Sequence, residues 1–120
     1  MKNINQYITE KLKISKSKNV KHTLFPKDKN ELIEMIKEEI NQNGNNCSLN
    51  HIDTSKITNM SELFVHSKFN GDISEWDVSN VYSMSYMFEF SEFDGDISEW
   101  NISKVKNMYG MFKGSKFNGD

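Results

Sequence analysis

The 120-residue sequence has one cysteine, one proline and no long apolar run. A single cysteine, Cys47, excludes an internal disulfide and suits a reducing compartment, where it would serve as a small buried side chain. The first residues, MKNINQYITEKLK, interrupt every apolar stretch with Asn, Gln, Glu or Lys, so they contain no signal-peptide core. No stretch reaches membrane-spanning length. These absences predict a cytoplasmic protein that is not embedded in a membrane.

Patterns that carry chemistry are missing as well. The sequence has no phosphate-binding loop, nucleophile elbow or zinc-protease motif. None of its three histidines has a second ligand at a metal-like spacing. Asp94-Gly95-Asp96 lacks the ligand-rich loop of a calcium site and suits a tight turn. We therefore expect no enzymatic activity, no metal and no cofactor.

What the sequence does contain is a repeat. Residues 72–95, DISEWDVSNVYSMSYMFEFSEFDG, are followed by 96–119, DISEWNISKVKNMYGMFKGSKFNG, and thirteen of 24 positions are identical. Residues 48–71 are a more diverged copy that keeps the apolar positions. A fixed period of this length indicates repeats that stack on one another.

Apolar residues recur in columns at this period, which predicts that each repeat lays its inward side chains on those of its neighbour. The columns are Leu49, Ile73, Ile97; Ile52, Trp76, Trp100; Ile57, Val81, Val105; Met60, Met84, Met108; Phe64, Phe88, Phe112; and Phe69, Phe93, Phe117.

The spacing within one repeat predicts its secondary structure. Ile73, Trp76, Val78 and Val81 fit a leucine-rich-repeat strand turn, with a short strand near 76–78. Ser79 then suits a helix N-cap, because apolar residues follow it at helical spacing up to Phe88. The predicted fold is an α/β solenoid, a short leucine-rich-repeat-like stack of three 24-residue coils of parallel strands and short helices with an N-terminal helical cap.

The pattern F-N-G-D-I-S-x-W-D-V-S-N-V-x-x-M-x-x-M-F, present at 69–88 and nearly again at 93–112, resembles the BspA-type leucine-rich-repeat proteins, whose repeats also occur in mycoplasma lipoproteins. The resemblance covers the chain from Leu49 onward, and residues 25–47 resemble the helical lead-in that precedes such repeats. It implies a role in surface adhesion and supplies no catalytic residues.

We divide the chain into a lead-in, residues 1–46, and the repeats, residues 47–120, as one cooperative domain. Residues 2–15 predict an amphipathic helix, and residues 20–25 an extended segment beside the first repeat. A second helix should start after Pro26 with Asp28 as its cap and Glu31 reaching back, and end near Gly44. This helix should cover the apolar end of the first repeat.

Charge divides unevenly between these parts. Residues 1–46 carry nine lysines against six acidic groups, a net charge of +3, whereas residues 47–120 carry six lysines against eleven, a net charge of −5. Scattered lysines without interleaved aromatics do not indicate a nucleic-acid groove. Two outward columns either are screened by solvent, with Asp accepting local hydrogen bonds, or face a basic partner; their members are His51, Glu75, Glu99 and Asp53, Asp77, Asn101.

These features favour a non-catalytic protein-binding module acting inside the cell. A small acidic protein from a Lys/Asn/Ile-rich sequence would suit a phage-borne inhibitor of a basic, nucleic-acid-handling host complex such as a CRISPR effector. The alternative is a surface adhesion protein or a fragment of one, since Gly119-Asp120 stops where another DISEW would begin. Phe112 and Phe117 should lie at the open end of the stack and either mediate a homodimer or bind the partner.

Overall fold

The computed structural model describes residues 21–118, and within them the chain forms one α-helix, α1 (Lys29–Asn43). Asp28 caps it by accepting the backbone N–H of Glu31 at 2.9 Å. The Glu31 carboxylate in turn accepts the N–H of Lys27 at 3.1 Å, and Gly44 ends the helix with φ +87°. The predicted start and end of this helix are confirmed, since the D-x-x-E pattern and the glycine satisfy its terminal backbone groups.

A short extended segment precedes α1. Leu24 forms a parallel bridge with Ile52, and the N–H of Thr23 donates to the carbonyl of His51 at 2.9 Å. The prediction of an extended chain beside the first repeat is confirmed for these residues. The amphipathic helix predicted for residues 2–15 lies outside the described residues.

The predicted α/β solenoid is wrong. Apart from α1, residues 21–118 form turns, bends and loops, and seven of them take part in isolated parallel bridges that do not extend into strands or a sheet. The described chain has no strand at 76–78 and no helix after Ser79. The repeats that follow α1 in the chain are therefore a succession of turns, and the leucine-rich-repeat interpretation of their secondary structure is corrected.

Backbone conformation explains why the helical spacing was misleading. Met84, Met87 and Phe88 share one side at spacings of three and four, as they would on a helix, but the chain between and after them turns at Tyr86 and Phe90 with φ of +55° and +53°. An α-helix of L-residues needs negative φ at every position. Tight turns of alternating hand, in which residues with negative φ are interspersed with residues with positive φ, thus give the same apolar spacing as a helix without the hydrogen bonds of a helix.

The 24-residue period nevertheless sets which residues meet. The bridges Ser48 to Asp72, Asn59 to Ser83 and Ser83 to Asn107 each join positions 24 residues apart. Phenylalanines of one column stack in the same register, with ring centroids of Phe64 and Phe88, and of Phe88 and Phe112, 5.5 Å apart. Equivalent positions of successive repeats are therefore neighbours in space.

Burial decreases along the chain toward the third repeat. The column residues of the first two repeats are buried, as are Leu32 and Ile36 of α1, which join the same core. In the third repeat Trp100 remains buried, whereas Met108 is 40% exposed. The helix thus packs at the side of the first repeat, and the third repeat forms the opposite, less covered side.

In the part of the chain that the structure describes, no helix is long and apolar enough to cross a membrane.

Candidate functional site

Each repeat contains one turn segment whose backbone contacts the next repeat, at residues 59–66, 83–90 and 107–114; we call these the repeat turns. Alternate N–H groups of one repeat turn donate to carbonyls of the following one. In the first pair, the N–H groups of Met60, Glu62, Phe64 and His66 donate to Ser83, Ser85, Met87 and Glu89 at 2.8–2.9 Å. In the second pair, those of Met84, Tyr86, Phe88 and Phe90 donate to Asn107, Tyr109, Met111 and Lys113 over the same distances.

These hydrogen bonds all run in one direction. The peptide group between Ser83 and Met84 accepts from the first repeat through its carbonyl and donates to the third through its N–H, because a trans peptide holds the two on opposite sides. The intervening N–H groups stay inside their own turn, as when Met87 donates to Met84 at 3.2 Å. Four files of hydrogen-bonded peptides therefore cross the repeats with their carbonyls toward α1 and their N–H groups toward the third repeat.

The last members of these files are unpaired. Among residues 21–118, no acceptor meets the N–H groups of Met108, Gly110, Phe112 or Gly114, which continue the donor positions of the two preceding repeat turns. We call this row of four donors the end face. Exposed backbone donors in a row are a template for pairing with another chain.

Apolar side chains border the end face. Met108 is 40% exposed, Tyr109 71% and Ile102 43%. Phe112 and Phe117, the two residues proposed from the sequence for the open end, are half-buried and stack on each other with centroids 4.5 Å apart. The face therefore combines unpaired polar groups with accessible apolar surface, as protein-binding surfaces do.

The three repeats differ in charge. Residues 72–95 carry six carboxylates and no lysine, a net charge of −6, whereas residues 96–118 carry four lysines and two carboxylates, a net charge of +2. Two of those lysines contact the second repeat: Lys104 donates to Asn80 at 3.3 Å, and Lys113 lies 4.0 Å from Glu89. Lys106 and Lys116 are exposed. The end face thus sits on the basic repeat.

Among the described residues, no hydrogen bond or ion pair joins any two of the six candidate residues from the outward columns. His51 contacts Glu39 of α1 in a short hydrogen bond. Glu75 is half-buried, and its backbone N–H donates to Asn50 of the preceding repeat at 3.0 Å. Glu99 is exposed. The columns are thus spread over the first, second and third repeats.

The remaining three candidates have a local structural task. Asp53, Asp77 and Asn101 each accept, through Oδ1, the backbone N–H of the serine two residues later, at 3.0–3.1 Å. Such side-chain turns stabilise a change of chain direction. Burial raises the pKa of Asp53, but the hydrogen bonds from Ser55 and nearby positive charges outweigh it, so the pKa lies below its usual value.

Sequence reasoning placed a binding surface at Phe112 and Phe117 and allowed local hydrogen bonds by the aspartates, but it missed the serine partners of these turns and the row of N–H groups at the end face. A signal for the turns is present, because the D/N-x-S spacing recurs at Asp72 and Asp96 as well, where serine N–H groups donate at 2.9 and 2.8 Å. A signal for the alternating hand is also present: Gly110 and Gly114 have φ of +63° and +65°, in the left-handed region that favours glycine. These two glycines therefore suit their turn and do not weaken a helix.

Other features of the described residues offer less chemistry. A hollow of about 300 Å³ lies between the start of α1 and the first repeat, but two of its lysines are partnered: Lys27 with Glu31 at 3.5 Å, and Lys29 with the carbonyl of Ser61 at 3.3 Å. No group of three His, Cys, Asp or Glu side chains within 21–118 could hold a metal ion. Cys47 is half-buried, and burial together with the nearby Glu39 charge raises its pKa, which disfavours the reactive thiolate.

Within residues 21–118, the geometry defines a set of tandem repeats that follows one helix and that has, at the third repeat, a row of backbone donors without acceptors among the described residues. Comparison with known families agrees with the repeats. Residues 30–120 match the family described as "Mycoplasma protein of unknown function, DUF285", and the chain belongs to that family. No curated protein and no solved structure matches the chain.

Proposed function

We propose that this protein is a non-catalytic module that binds another protein through the end face. The observation that carries the proposal is the row of four unpaired N–H groups at Met108, Gly110, Phe112 and Gly114. In the two preceding repeat turns the equivalent groups are all bonded to carbonyls. A partner that supplies four acceptors would complete a pattern that the molecule already repeats twice.

The surrounding surface supports the same function. Exposed apolar residues beside the row, Ile102, Met108 and Tyr109, would lose contact with water when a partner covers them, at roughly 25 cal/mol per Å² of apolar area. Tyrosine and methionine are among the residues enriched at protein interfaces. The proposed binding site also includes Phe112 and Phe117, which belong to the same repeat and stack on each other.

A second candidate uses the acidic repeat. The six carboxylates of residues 72–95, with no lysine among them, would attract a basic partner. This observation supports the narrower hypothesis of an inhibitor, phage-borne in origin, that occupies a basic nucleic-acid-handling complex of the CRISPR-effector type. Glu75 and Asp77 on this repeat, together with Glu99 on the next, would then be contact residues. His51 and Asp53 fall on the first repeat and Asn101 on the third.

The resemblance to BspA-type repeats offers the alternative of a surface adhesion protein. It would use the same kind of non-catalytic binding in a different location, and the cytoplasmic location remains a prediction from the sequence. Membership of the mycoplasma repeat family is compatible with either location, because that family's description assigns no function.

Affinity purification from the native host tests the two surfaces against each other. Tagged wild type would be compared with a double variant of the end face, Met108→Ser with Tyr109→Ser, and with a double charge reversal of the acidic columns, Glu75→Lys with Glu99→Lys. Loss of a stoichiometric protein partner only in the first variant supports the end face, and loss only in the second supports the acidic repeat. Capture of the same partner by all three contradicts both.

A further inference from the structure

Resting on the proposed function, we infer the chemistry of the partner: an acidic polypeptide segment that presents main-chain carbonyls to the end face, and not a second copy of this protein. The inference depends on the direction of the four files of peptide groups. It concerns the same surface as the proposed function and adds which partner that surface selects.

The files have a positive and a negative end. Each peptide carries a dipole of about 3.5 D, and aligned peptides add their dipoles as they do in a helix. Within the repeat turns the eight hydrogen bonds all point the same way, so the partial positive charge of these N–H groups collects at the end face. The bonds that flank the turns run the other way, as when Glu92 donates to Ser67 and Lys116 to Ser91, so this charge is confined to the four donors of the row. Oriented N–H groups in turns of alternating hand are recognised sites for anionic and carbonyl oxygens.

The opposite end of the files shows the matching preference. The ammonium group of Lys29 donates to the carbonyl of Ser61, one of the four first-repeat carbonyls at the negative end. A cation therefore already occupies the negative end in the described structure. By the same electrostatics, the positive end at the third repeat favours acceptor atoms and negative charge.

Side-chain charge adds to this preference. The third repeat has a net charge of +2 over residues 96–118, and its Lys106 and Lys116 are exposed and take part in no ion pair among the described residues. A partner segment with acidic side chains would therefore be attracted by both the backbone and the lysines.

Two copies of this protein cannot satisfy the end face symmetrically. A twofold dimer through this surface would set the N–H row of one copy against the N–H row of the other, and buried donors without acceptors oppose association. A head-to-tail arrangement would need the first-repeat carbonyls, and Ser61 among them is already used by Lys29 beside α1. The homodimer expected from the sequence is untested, and the direction of the backbone argues against its symmetric form.

The chain's own repeats supply a matched pair of probes. A synthetic peptide with the sequence of residues 72–95 carries a net charge of −6, whereas one with the sequence of 96–119 carries +2, and thirteen of their 24 positions are identical. Both contain a repeat turn of the kind that docks on the preceding repeat, so they differ chiefly in charge. Each would be titrated, with blocked termini, into the isotope-labelled full chain and followed by two-dimensional amide NMR.

We expect the acidic peptide to shift the amide resonances of Met108, Gly110, Phe112 and Gly114 and to bind at least about tenfold more tightly than the basic one, with affinity falling as salt rises. Met108→Pro should weaken binding a further three- to tenfold or so relative to Met108→Ala, because both variants lose the side chain and only proline loses the donor. Proline is compatible here, since the N–H that it removes has no acceptor among the described residues and the preceding Asn107 forms a parallel β-bridge with Ser83.

The outcomes separate the inference from the function on which it rests. Equal or tighter binding of the basic peptide at the same four amides overturns the acidic partner and leaves the end face as a binding site. Shifts of those amides with protein concentration alone overturn it in favour of a second copy. Peptide-induced shifts confined to residues 72–95, or no shift with either peptide, overturn both the inference and the end face as the binding surface.

Discussion

The indole N–H of Trp76 donates to the backbone carbonyl of Leu49, 27 residues earlier, at 2.9 Å. Trp100 repeats the bond one period later, donating to the carbonyl of Ile73 at 3.1 Å. In each case a buried tryptophan joins two successive repeats through a polar contact and fills the space between them with its ring. A buried indole N–H without such a partner would carry a desolvation penalty, so the position selects tryptophan over other aromatic residues.

Replacement of Trp76 by alanine should lower the free energy of unfolding by about 3 to 5 kcal/mol, through the lost ring and the cavity that remains. Trp76 is 3% exposed and stacks on Phe64 of the first repeat, whereas Trp100 is 9% exposed at the less covered repeat. Trp100→Ala should therefore cost less. Urea denaturation followed by circular dichroism measures both. A Trp76→Ala protein with an unchanged midpoint would contradict the assignment of this residue to the core.

The apolar columns could be predicted from the sequence because buried positions hold apolar residues, and these residues recur at the 24-residue period. Every column residue of the first two repeats is buried, including Phe64, Phe69, Phe88 and Phe93, whereas in the third repeat Trp100 is the one column residue that is buried. The helix start at Asp28 and the helix end at Gly44 could likewise be predicted, since each residue hydrogen-bonds a terminal backbone group of the helix only a few positions away in sequence.

The secondary structure of the repeats could not be predicted in the same way. Apolar spacings of three and four residues fit an α-helix, but they also fit turns that place Tyr86 and Phe90 at positive φ. Non-glycine residues rarely adopt that conformation, so residue type gave no reason to expect it in the second repeat. Here the inter-repeat hydrogen bonds compensate for the local cost, and such bonds are not visible in one repeat alone.

The candidate site was predictable in location and not in chemistry. Phe112 and Phe117 marked the open end of the repeats, but the unpaired N–H row of the same turn depends on backbone direction, which side-chain patterns do not encode. Conversely, the sequence left open whether Asp77 makes local hydrogen bonds or faces a partner, and in the structure its carboxylate accepts the N–H of Ser79. Sequence alone does not distinguish acidic side chains that cap turns from acidic side chains that bind a partner, because the distinction depends on which groups surround them in the folded structure.

The glycines of the third repeat turn provide a second test. Gly114 has φ of +65°, and a Cβ there would collide with the ring of Phe90. Gly114→Ala should therefore destabilise the protein by about 1 to 2 kcal/mol from the left-handed conformation alone, and by more if the ring cannot move. Thermal unfolding measures the loss.

Phe90→Ala in the same chain is the control for the Gly114 variant. It removes the collision and leaves the backbone cost, so the Gly114→Ala penalty should shrink but not vanish in the Phe90→Ala background. If Gly114→Ala were neutral or stabilising, the segment would be helical after all, since alanine favours a helix over glycine by about 1 kcal/mol.

Asp77 and its neighbours separate structural from binding carboxylates. The Oδ1 atom of Asp77 accepts the N–H of Ser79 at 3.0 Å and its hydroxyl at 2.5 Å. Asp77→Ala should therefore cost about 1 kcal/mol, by analogy with the loss of a helix cap, whereas Asp77→Asn should cost little. Asn101 shows that an amide suffices at the equivalent position, where it accepts from Ser103. Equal losses in both variants, measured by urea denaturation, would contradict the turn-capping role.

Charge reversal at Glu75 and Glu99 should leave stability nearly unchanged, because neither carboxylate makes an ion pair among the described residues. If the acidic repeat engages a basic partner, Glu75→Lys with Glu99→Lys should slow association, and the effect should diminish as salt increases. Surface plasmon resonance across a salt series on a captured partner gives the rates. Identical association rates for wild type and variant at low salt would exclude these two residues from the interface.

Acid stability should depend on the turn-capping aspartates. Hydrogen bonds from the Ser98 hydroxyl and N–H lower the pKa of Asp96, and those from Ser55 lower the pKa of Asp53 against the opposing effect of burial. A carboxyl whose pKa is lower in the folded than in the unfolded state contributes stability above its unfolded pKa, about 3.9, and loses that contribution as pH falls through the folded value.

Asp53→Asn with Asp96→Asn keeps an acceptor at each turn and removes the titration. The free energy of unfolding of the double variant should therefore lie below that of wild type near neutral pH, decline less steeply below about pH 4 and approach the wild-type value at low pH, as measured by urea denaturation at a series of pH values. Parallel declines in the two proteins would show that other carboxylates govern acid unfolding.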